Sequence, residues 1–249
     1  AAIDDPSSLP ARQVVISESQ GLADRFHSIN DRLTDSNNIV NGQMGVLATQ
    51  ISTLAESISE LNIQISFAQS SANGNSPNDL LDKRDLALKD LAELVSINVV
   101  EQDGNTLNVF IGNGQPLVVG NDFNSISTQP SGNDPTRDAI VYERNGVVQE
   151  ITKELSGGQL GGLIDYRETV LNPVVNQLGR VAMAVQSEIN TQHMLGIDIN
   201  GTQGDLFFTD INDPLLARQR VISSADNTQP NDRVIGVYVT DTNQLTDSD

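Results

Sequence analysis

The sequence predicts an α+β protein: an elongated helical bundle of long antiparallel helices and a short helix, carrying a small β-hairpin element and followed by the start of a β-rich domain. Three observations lead there. Apolar residues recur at threes, fours and sevens through the first quarter, the mark of a helix that buries one narrow seam. From Ile97 the period changes to two, as in strands with one buried face. A second helical stripe opens near Gly161-Gly162, and the helical period is lost again beyond Gly201.

The first stripe comprises Leu22, Phe26, Ile29, Leu33, Val40, Met44, Leu47, Ile51, Leu54, Ile58, Leu61 and Ile65. Val40 to Ile65 alternates fours and threes, whereas Leu33 to Met44 spans eleven residues, a stutter that locally unwinds a left-handed supercoil. A helix unbroken from Leu22 to Ile65 is about 65 Å long at 1.5 Å per residue. Asn41-Gly42 and Gly45 are its weak points, because each mid-helix glycine costs about 1 kcal/mol relative to alanine; a kink or break is expected there if anywhere. Ser70 to Ser76 reads as a polar loop. Pro77-Asn78-Asp79 then supplies acidic and capping chemistry for a short amphipathic helix, Leu80 to Val95, whose apolar face holds Leu80, Leu81, Leu88, Leu91, Leu94 and Val95.

Ile97 to Glu101 and Leu107 to Ile111 flank the turn signal Asp103-Gly104-Asn105, and Leu117-Val118-Val119 follows Asn113-Gly114. A second hairpin is expected over Ala139 to Ile151 with its turn at Asn145-Gly146, and Asn121 to Asp138 between them reads as an irregular surface loop. The second long helix shows Leu163, Val170, Val174, Leu178, Val181, Val185 and Ile189 and ends about His193 to Gly196; Pro173 should kink it or mark a restart. Two long helices so placed pair antiparallel, with the short helix on a third side, giving a bundle complete in the monomer. Leu206-Phe207-Phe208, Arg220 to Ser223 and Val234 to Thr240 read as strands, too few to close a sheet. The expected division is a helical rod domain over 1–205 with the β element at about 96–155, and the beginning of a β-rich outer domain over 206–249.

Composition narrows the function. With 33 acidic and 14 basic side chains the net charge is −19, which repels a phosphate backbone and disfavours nucleic acid and anionic membranes. The 249 residues allow one or two domains with aliphatic cores, and aromatics at 4% argue against an aromatic-lined ligand pocket. No cysteine is present, so disulfides, thiolate catalysis and zinc-thiolate sites are excluded. No stretch reaches the roughly 18 to 20 apolar residues of a membrane helix, and the chain reads as soluble. The opening Ala1-Ala2-Ile3-Asp4-Asp5 reads as an internal fragment or a processed chain.

No catalytic, cofactor-binding or metal residues are assigned. His27 and His193 each lie on a helix without a second histidine at ligand spacing, so they read as solvated or helix-packing side chains. Asp198 to Asp205 alternates oxygen ligands but lacks the length and terminal glutamate of an EF-hand loop, and reads as a turn. Asp4-Asp5 and Asp82/Asp85 have no apolar cleft to split their pKa values and read as surface pairs. Gly157-Gly158-Gln159-Leu160-Gly161-Gly162 approaches an anion-binding loop without its lysine or preceding parallel strand, and reads as a flexible linker that lets helices re-dock around the β element.

Several blocks resemble a known family, the flagellar hook-associated protein 1 family of bacterial hook-to-filament junction proteins. Ser76-Pro77-Asn78-Asp79-Leu80-Leu81-Asp82-Lys83-Arg84-Asp85 with Leu91 to Val95, Gln102 to Val109 with Gly112 to Val118, and Gly157 to Arg167 with Leu171-Asn172-Pro173, Asn176 to Arg180 and Asn190 to His193 keep the family's order and spacing across about residues 50 to 210. The resemblance implies a structural subunit without enzymatic activity or cofactor. It also implies that the subunit is extracellular in the bacterial flagellum and exported through the flagellar type III apparatus without a cleaved signal peptide. Implied partners are hook protein, the second junction protein, copies of itself and an export chaperone for the full-length protein. The terminal helical segments that build the family's inner tube are not found, so the fragment is expected to be monomeric. Candidate contact surfaces are the outer faces of Leu22 to Ile65 and Leu163 to His193. The alternatives are another flagellar axial protein, flagellin or the second junction protein, an extracellular adhesin-like binding module, or a hydrolase in the outer domain.

Overall fold

A computed structural model describes residues 8–71, 77–102, 105–132, 134–144, 146–219 and 237–240. Its elements in chain order are α1 (Leu9–Ser71), α2 (Asn78–Leu94), β1 (Ile97–Glu101), β2 (Leu107–Ile111), β3 (Gln115–Val119), β4 (Asp122–Phe123), β5 (Ser125–Pro130), β6 (Asp138–Arg144), β7 (Val147–Glu150), a 3-10 turn (Thr152–Glu154), α3 (Gly158–Tyr166), a π turn (Arg167–Leu171), α4 (Asn172–Met194) and α5 (Pro214–Gln219). The chain divides into two compact units, one of residues 37–170 and one of residues 1–36 with 171–249.

In the 37–170 unit the apolar stripe of α1 is the spine of the core. Val40, Met44, Leu47, Ile51, Ile58, Leu61 and Ile65 are all buried, with Ala48 and Ala55 between them. The seam read from the sequence is therefore the packed face from Val40 onward. The glycines do not break it: α1 is one helix across Gly42 and Gly45. At Gly45 the missing side chain is used, because a β-carbon there would sit 3.3 Å from the Thr128 hydroxyl of β5. α2 matches the expected short helix and buries Ala87, Leu91 and Leu94. It has no side-chain cap; the amides of Leu80 and Leu81 bond the Pro77 carbonyl instead, so the capping role expected of Asn78 and Asp79 is not used. Most of the loop expected over Ser70 to Ser76, and Asp103-Gly104 and Asn145 of the two hairpin turns, lie outside the described residues.

The sheets are antiparallel, of order β1-β2-β3-β4 and β5-β6-β7. Both expected hairpins are present, β1 with β2 and β6 with β7. The segment Asn121 to Asp138 is not an irregular loop. It contributes β4 and β5, and β5 pairs with β6 over six residues from Ser125↔Glu143 to Pro130↔Asp138. The one buried residue of β5, Ile126, is 3% exposed, and Ser52 of α1 bonds it twice, donating from Oγ to the Ile126 carbonyl and accepting from the Ile126 amide. A strand with one inward residue carries almost no alternation to read.

Two further side-chain amides seat strands on α1. Asn62 accepts the Leu107 amide at Oδ1 (3.2 Å) and donates from Nδ2 to the carbonyls of Leu107 (2.9 Å) and Gly120 (2.7 Å). Asn41 accepts the Asp138 amide at Oδ1 (3.0 Å) and donates to the Thr136 carbonyl (3.0 Å). Each Oδ1 also receives an arginine: Arg84 Nη1 of α2 bonds Asn62 and the Asn105 carbonyl, and Arg167 Nη1 of the π turn bonds Asn41 and the Asp138 carbonyl.

The second long helix is in three parts. α3 ends at Tyr166, five residues form the π turn, and α4 restarts with Pro173 in its first turn. Proline removes one donor and fits that position, as the expected restart requires. In the unit of residues 1–36 and 171–249 the bundle expected to be complete in the monomer is not closed by the described residues: Asn190 is the one buried residue of α4, and Ile29, Val174 and Val181 are 44%, 40% and 53% exposed. The strand expectation fails at Leu206-Phe207-Phe208, which is an irregular turn, and at 237–240, which carries no strand; Arg220 to Ser223 and residues 234–236 lie outside the described residues. The backbone here bonds side chains instead of a ladder. Asn190 accepts the amides of Phe207 and Phe208 and donates to the Phe208 carbonyl, and Asn212 takes both the amide and the carbonyl of Val239.

Candidate functional site

The candidate contact faces of α1 and α4 carry exposed aliphatic and aromatic side chains. On α1 beyond residue 36, Ile39, Val46 and Phe67 are 60%, 58% and 73% exposed. Ile39, Gly42 and Val46 of α1 face Gln159, Gly162 and Leu163 of α3 across an open groove of about 710 Å³. In the other unit a hollow of about 370 Å³ lies between Leu22 and Phe26 of α1, Met183 and Val185 of α4, Phe208 and Leu216. Single exposed apolar side chains are ordinary, but runs of them along a helix mark a surface that packs against something.

The other candidate residues resolve individually. His27 is exposed and lines the hollow beside Leu22 and Phe26. His193, although exposed, packs its ring on Phe207 with centroids 5.3 Å apart and bonds the Asp205 carbonyl through Nδ1 at 2.5 Å, so it meets the irregular segment after α4 and not another helix. Phe207 in turn meets Phe208 edge-on. Asp198 closes a turn as expected: its carboxylate accepts the amides of Thr202 (2.7 Å) and Asn200 (2.8 Å), and Ile197 bridges to Gln203. The Thr202 amide, followed by Asn200, holds the Asp198 carboxyl below its ordinary pKa, against a smaller opposing effect of burial. Asp4-Asp5 lies outside the described residues. Among the described residues no three of His, Asp or Glu gather as a metal site would require, and no helix is long and apolar enough to cross a membrane.

Gly157-Gly158 is not a flexible linker. Both glycines have positive φ, 66° and 58°, and a β-carbon on Gly158 would lie 2.4 Å from the Leu94 carbonyl carbon. The pair is a close approach between α3 and the end of α2, a position where only glycine fits.

Two groups escaped the sequence reading. Arg84 and Arg167 are 5% and 3% exposed, and Nη1 of each bonds an asparagine oxygen and a backbone carbonyl. Burial pushes both pKa values down, opposed at Arg84 by Asp85 and Glu101 and at Arg167 chiefly by Glu168. Burial also pushes the Tyr142 hydroxyl up, where it donates to the Pro116 carbonyl at 2.7 Å and ties the two sheets together. α5 was also missed, although Asp213-Pro214 is a legible start signal: Asp213 accepts the Leu215 amide at 2.8 Å ahead of a proline in the first turn.

What the described residues offer a partner is aliphatic helix surface, the surface of a structural, helix-packing domain. Residues 1–208 match the family model described as the flagellar hook-associated protein FlgK helical domain, and the chain belongs to that family. It is 35% identical to flagellar hook-associated protein 1 of Escherichia coli K12 over 248 residues, 99% of this chain and 43% of that protein. It is 37% identical to the protein of the same name from Salmonella typhimurium over 208 residues, 83% of this chain and 37% of that one. Among solved structures, that of the flagellar hook junction protein FlgK from Burkholderia pseudomallei is similar with a TM-score of 0.78 and 35% identity, covering 84% of this chain and 38% of that one. The chain thus spans about two fifths of the curated relatives it matches.

Proposed function

We propose that this chain is part of a structural subunit of the bacterial flagellum that joins hook to filament and supports filament assembly outside the cell. The observation that supports the reading is the match of residues 1–208 to the hook-associated helical domain, on a chain whose α1 and α4 leave aliphatic side chains uncovered. The role is mechanical and uses neither catalysis nor a cofactor. The helical domain extends to about residue 205 and carries the β element at about 96–155.

The energetics fit a lattice better than an isolated pair. Covering the exposed half of a side chain such as Val46, Val174 or Val181 stabilises a contact by about 1 kcal/mol each. Association itself costs an estimated 4 to 15 kcal/mol or more. One lateral contact is therefore weak, and many simultaneous ones hold a subunit firmly. The partners in this reading are copies of the subunit, hook protein and the second junction protein, with an export chaperone binding the longer protein before it passes through the type III apparatus without a cleaved signal peptide.

The test places this region within a complete protein in a flagellated strain that lacks its own junction protein. Filament growth on existing hooks is the expected result, and Val174→Glu with Val181→Glu is expected to reduce it. A protein that is exported but neither binds hook nor supports filament growth ends the junction reading.

A further inference from the structure

The buried face of α1 in the 37–170 unit is chemically repetitive. Aliphatic side chains at threes and fours offer nearly the same surface on successive heptads, and apolar burial is not directional. A displacement of the sheets by one heptad, about 10 Å along the helix, would find similar packing.

Polar side chains interrupt this repetition. Asn41 and Asn62 are 21 residues, three heptads, apart on α1 and make the same kinds of hydrogen bond. Each accepts a strand amide, donates to a strand-side carbonyl, and receives at Oδ1 an arginine that also bonds a backbone carbonyl. Ser52, between them, meets the amide and carbonyl of Ile126. These bonds exist at one axial position only.

Stability does not account for such groups. Both arginines are nearly fully buried, each bonds an asparagine and a backbone carbonyl through Nη1, and the Nε of each is buried without a hydrogen bond. Removing a buried charge together with its partners in favour of apolar groups is often neutral or stabilising. A single buried asparagine in a coiled-coil seam, by contrast, sets register at a cost in stability. We propose that Asn41 with Arg167, and Asn62 with Arg84, are positioning residues that set the register in which the two sheets seat on α1, with Ser52 as an intermediate rung. The polar rungs supply direction on a seam whose apolar residues have none, so every copy of the chain presents its sheets at the same level of the helix. The inference stands on this unit alone and does not depend on the junction reading.

The sequence has no cysteine, so introduced pairs report register cleanly. A β-carbon at Gly45 lies 3.3 Å from the Thr128 hydroxyl, and Gly45→Cys with Thr128→Cys reports the native seating. Asn38→Cys with Thr128→Cys reports a one-heptad displacement toward the start of α1. In the parent background the displaced pair should oxidise at least about tenfold more slowly than the native pair. With Asn41→Leu and Arg167→Met that ratio should fall to about threefold or less, while the thermal midpoint stays within about 3 °C of the parent. Arg167→Lys keeps the charge but loses the planar fork; it should raise the displaced crosslinks too, and it serves if the apolar pair fails to fold. Native crosslinking alone at the parental ratio in the variant that folds, or a fall in thermal midpoint with the seating still native, overturns the proposal and leaves the clamps as ordinary stabilising contacts.

Discussion

Replacing Gly158 by alanine should be among the most damaging single-methyl changes in the chain. Gly158 opens α3 at φ +58°, and its added β-carbon would lie 2.4 Å from the Leu94 carbonyl carbon, 2.5 Å from the Val95 nitrogen and 2.6 Å from the Leu94 oxygen. All three are backbone atoms, which cannot rotate away. Ordinary contact begins near 3.4 Å, so α3 must withdraw from the end of α2 by about 1 Å, loosening Leu160 and Ile164 from Leu91, Leu94 and Val95. The left-handed backbone costs about 1 to 2 kcal/mol for a residue with a β-carbon. The forced withdrawal adds about 1 to 3 kcal/mol. Together they make about 2 to 5 kcal/mol, a fall in thermal midpoint of roughly 5 to 20 °C for a domain of this size. The control lies in the same helix. A β-carbon on Gly162 meets nothing within 4 Å, so Gly162→Ala should stabilise by about 0.5 to 1 kcal/mol through helix propensity. Urea unfolding followed by circular dichroism measures both. If Gly158→Ala falls within about 0.5 kcal/mol of the parent, or if the two variants are equally destabilised, the close-approach account is wrong.

Three other outcomes are expected. Asn190→Ala removes three bonds to the Phe207–Phe208 backbone and should cost about 1 to 3 kcal/mol, with loss of hydrogen-exchange protection at those two amides before any other; unchanged protection there counts against the role. The Asp198 carboxyl titrates below its ordinary value because the folded turn bonds the charged form, so its contribution is present above the ordinary carboxylate range and is lost as pH falls through the lowered value. Amide shifts of Asn200 and Thr202 should move together below about pH 4, and Asp198→Asn should flatten both titrations. Ile58→Ala, at a fully buried position of the α1 seam, should cost about 2 to 5 kcal/mol in urea unfolding, whereas the exposed Val46→Ala should change stability by less than about 0.5 kcal/mol.

Much of the fold was legible because its signals are local. The seam from Val40 to Ile65, the face of α2, both hairpins and the restart at Pro173 follow from periodicity or from one residue's covalent geometry. Three things were not legible in that way. β5 carries a single inward apolar residue, so its strand character depends on β6 and on Ser52, 74 residues away from Ile126. The glycines at 157 and 158 read as freedom until their neighbours were known, and then as a close backbone approach to the end of α2 and the residues just after it. Arg84 and Arg167 received no role, because nothing near them in sequence announces Asn62 or, 126 residues from Arg167, Asn41.

By itself the sequence determined where the long helices and the two hairpins form, that the core is aliphatic, and which family the chain resembles, since these rest on composition, spacing and short blocks of residues. Only the tertiary structure decided which stretch of the long stripe is a closed core and which stays half open, and where the polar side chains of α1 find their partners. Burial and hydrogen bonding are properties of pairs brought together across long loops. Apolar spacing says that a face will be covered, and only the assembled chain says by what and at which rung.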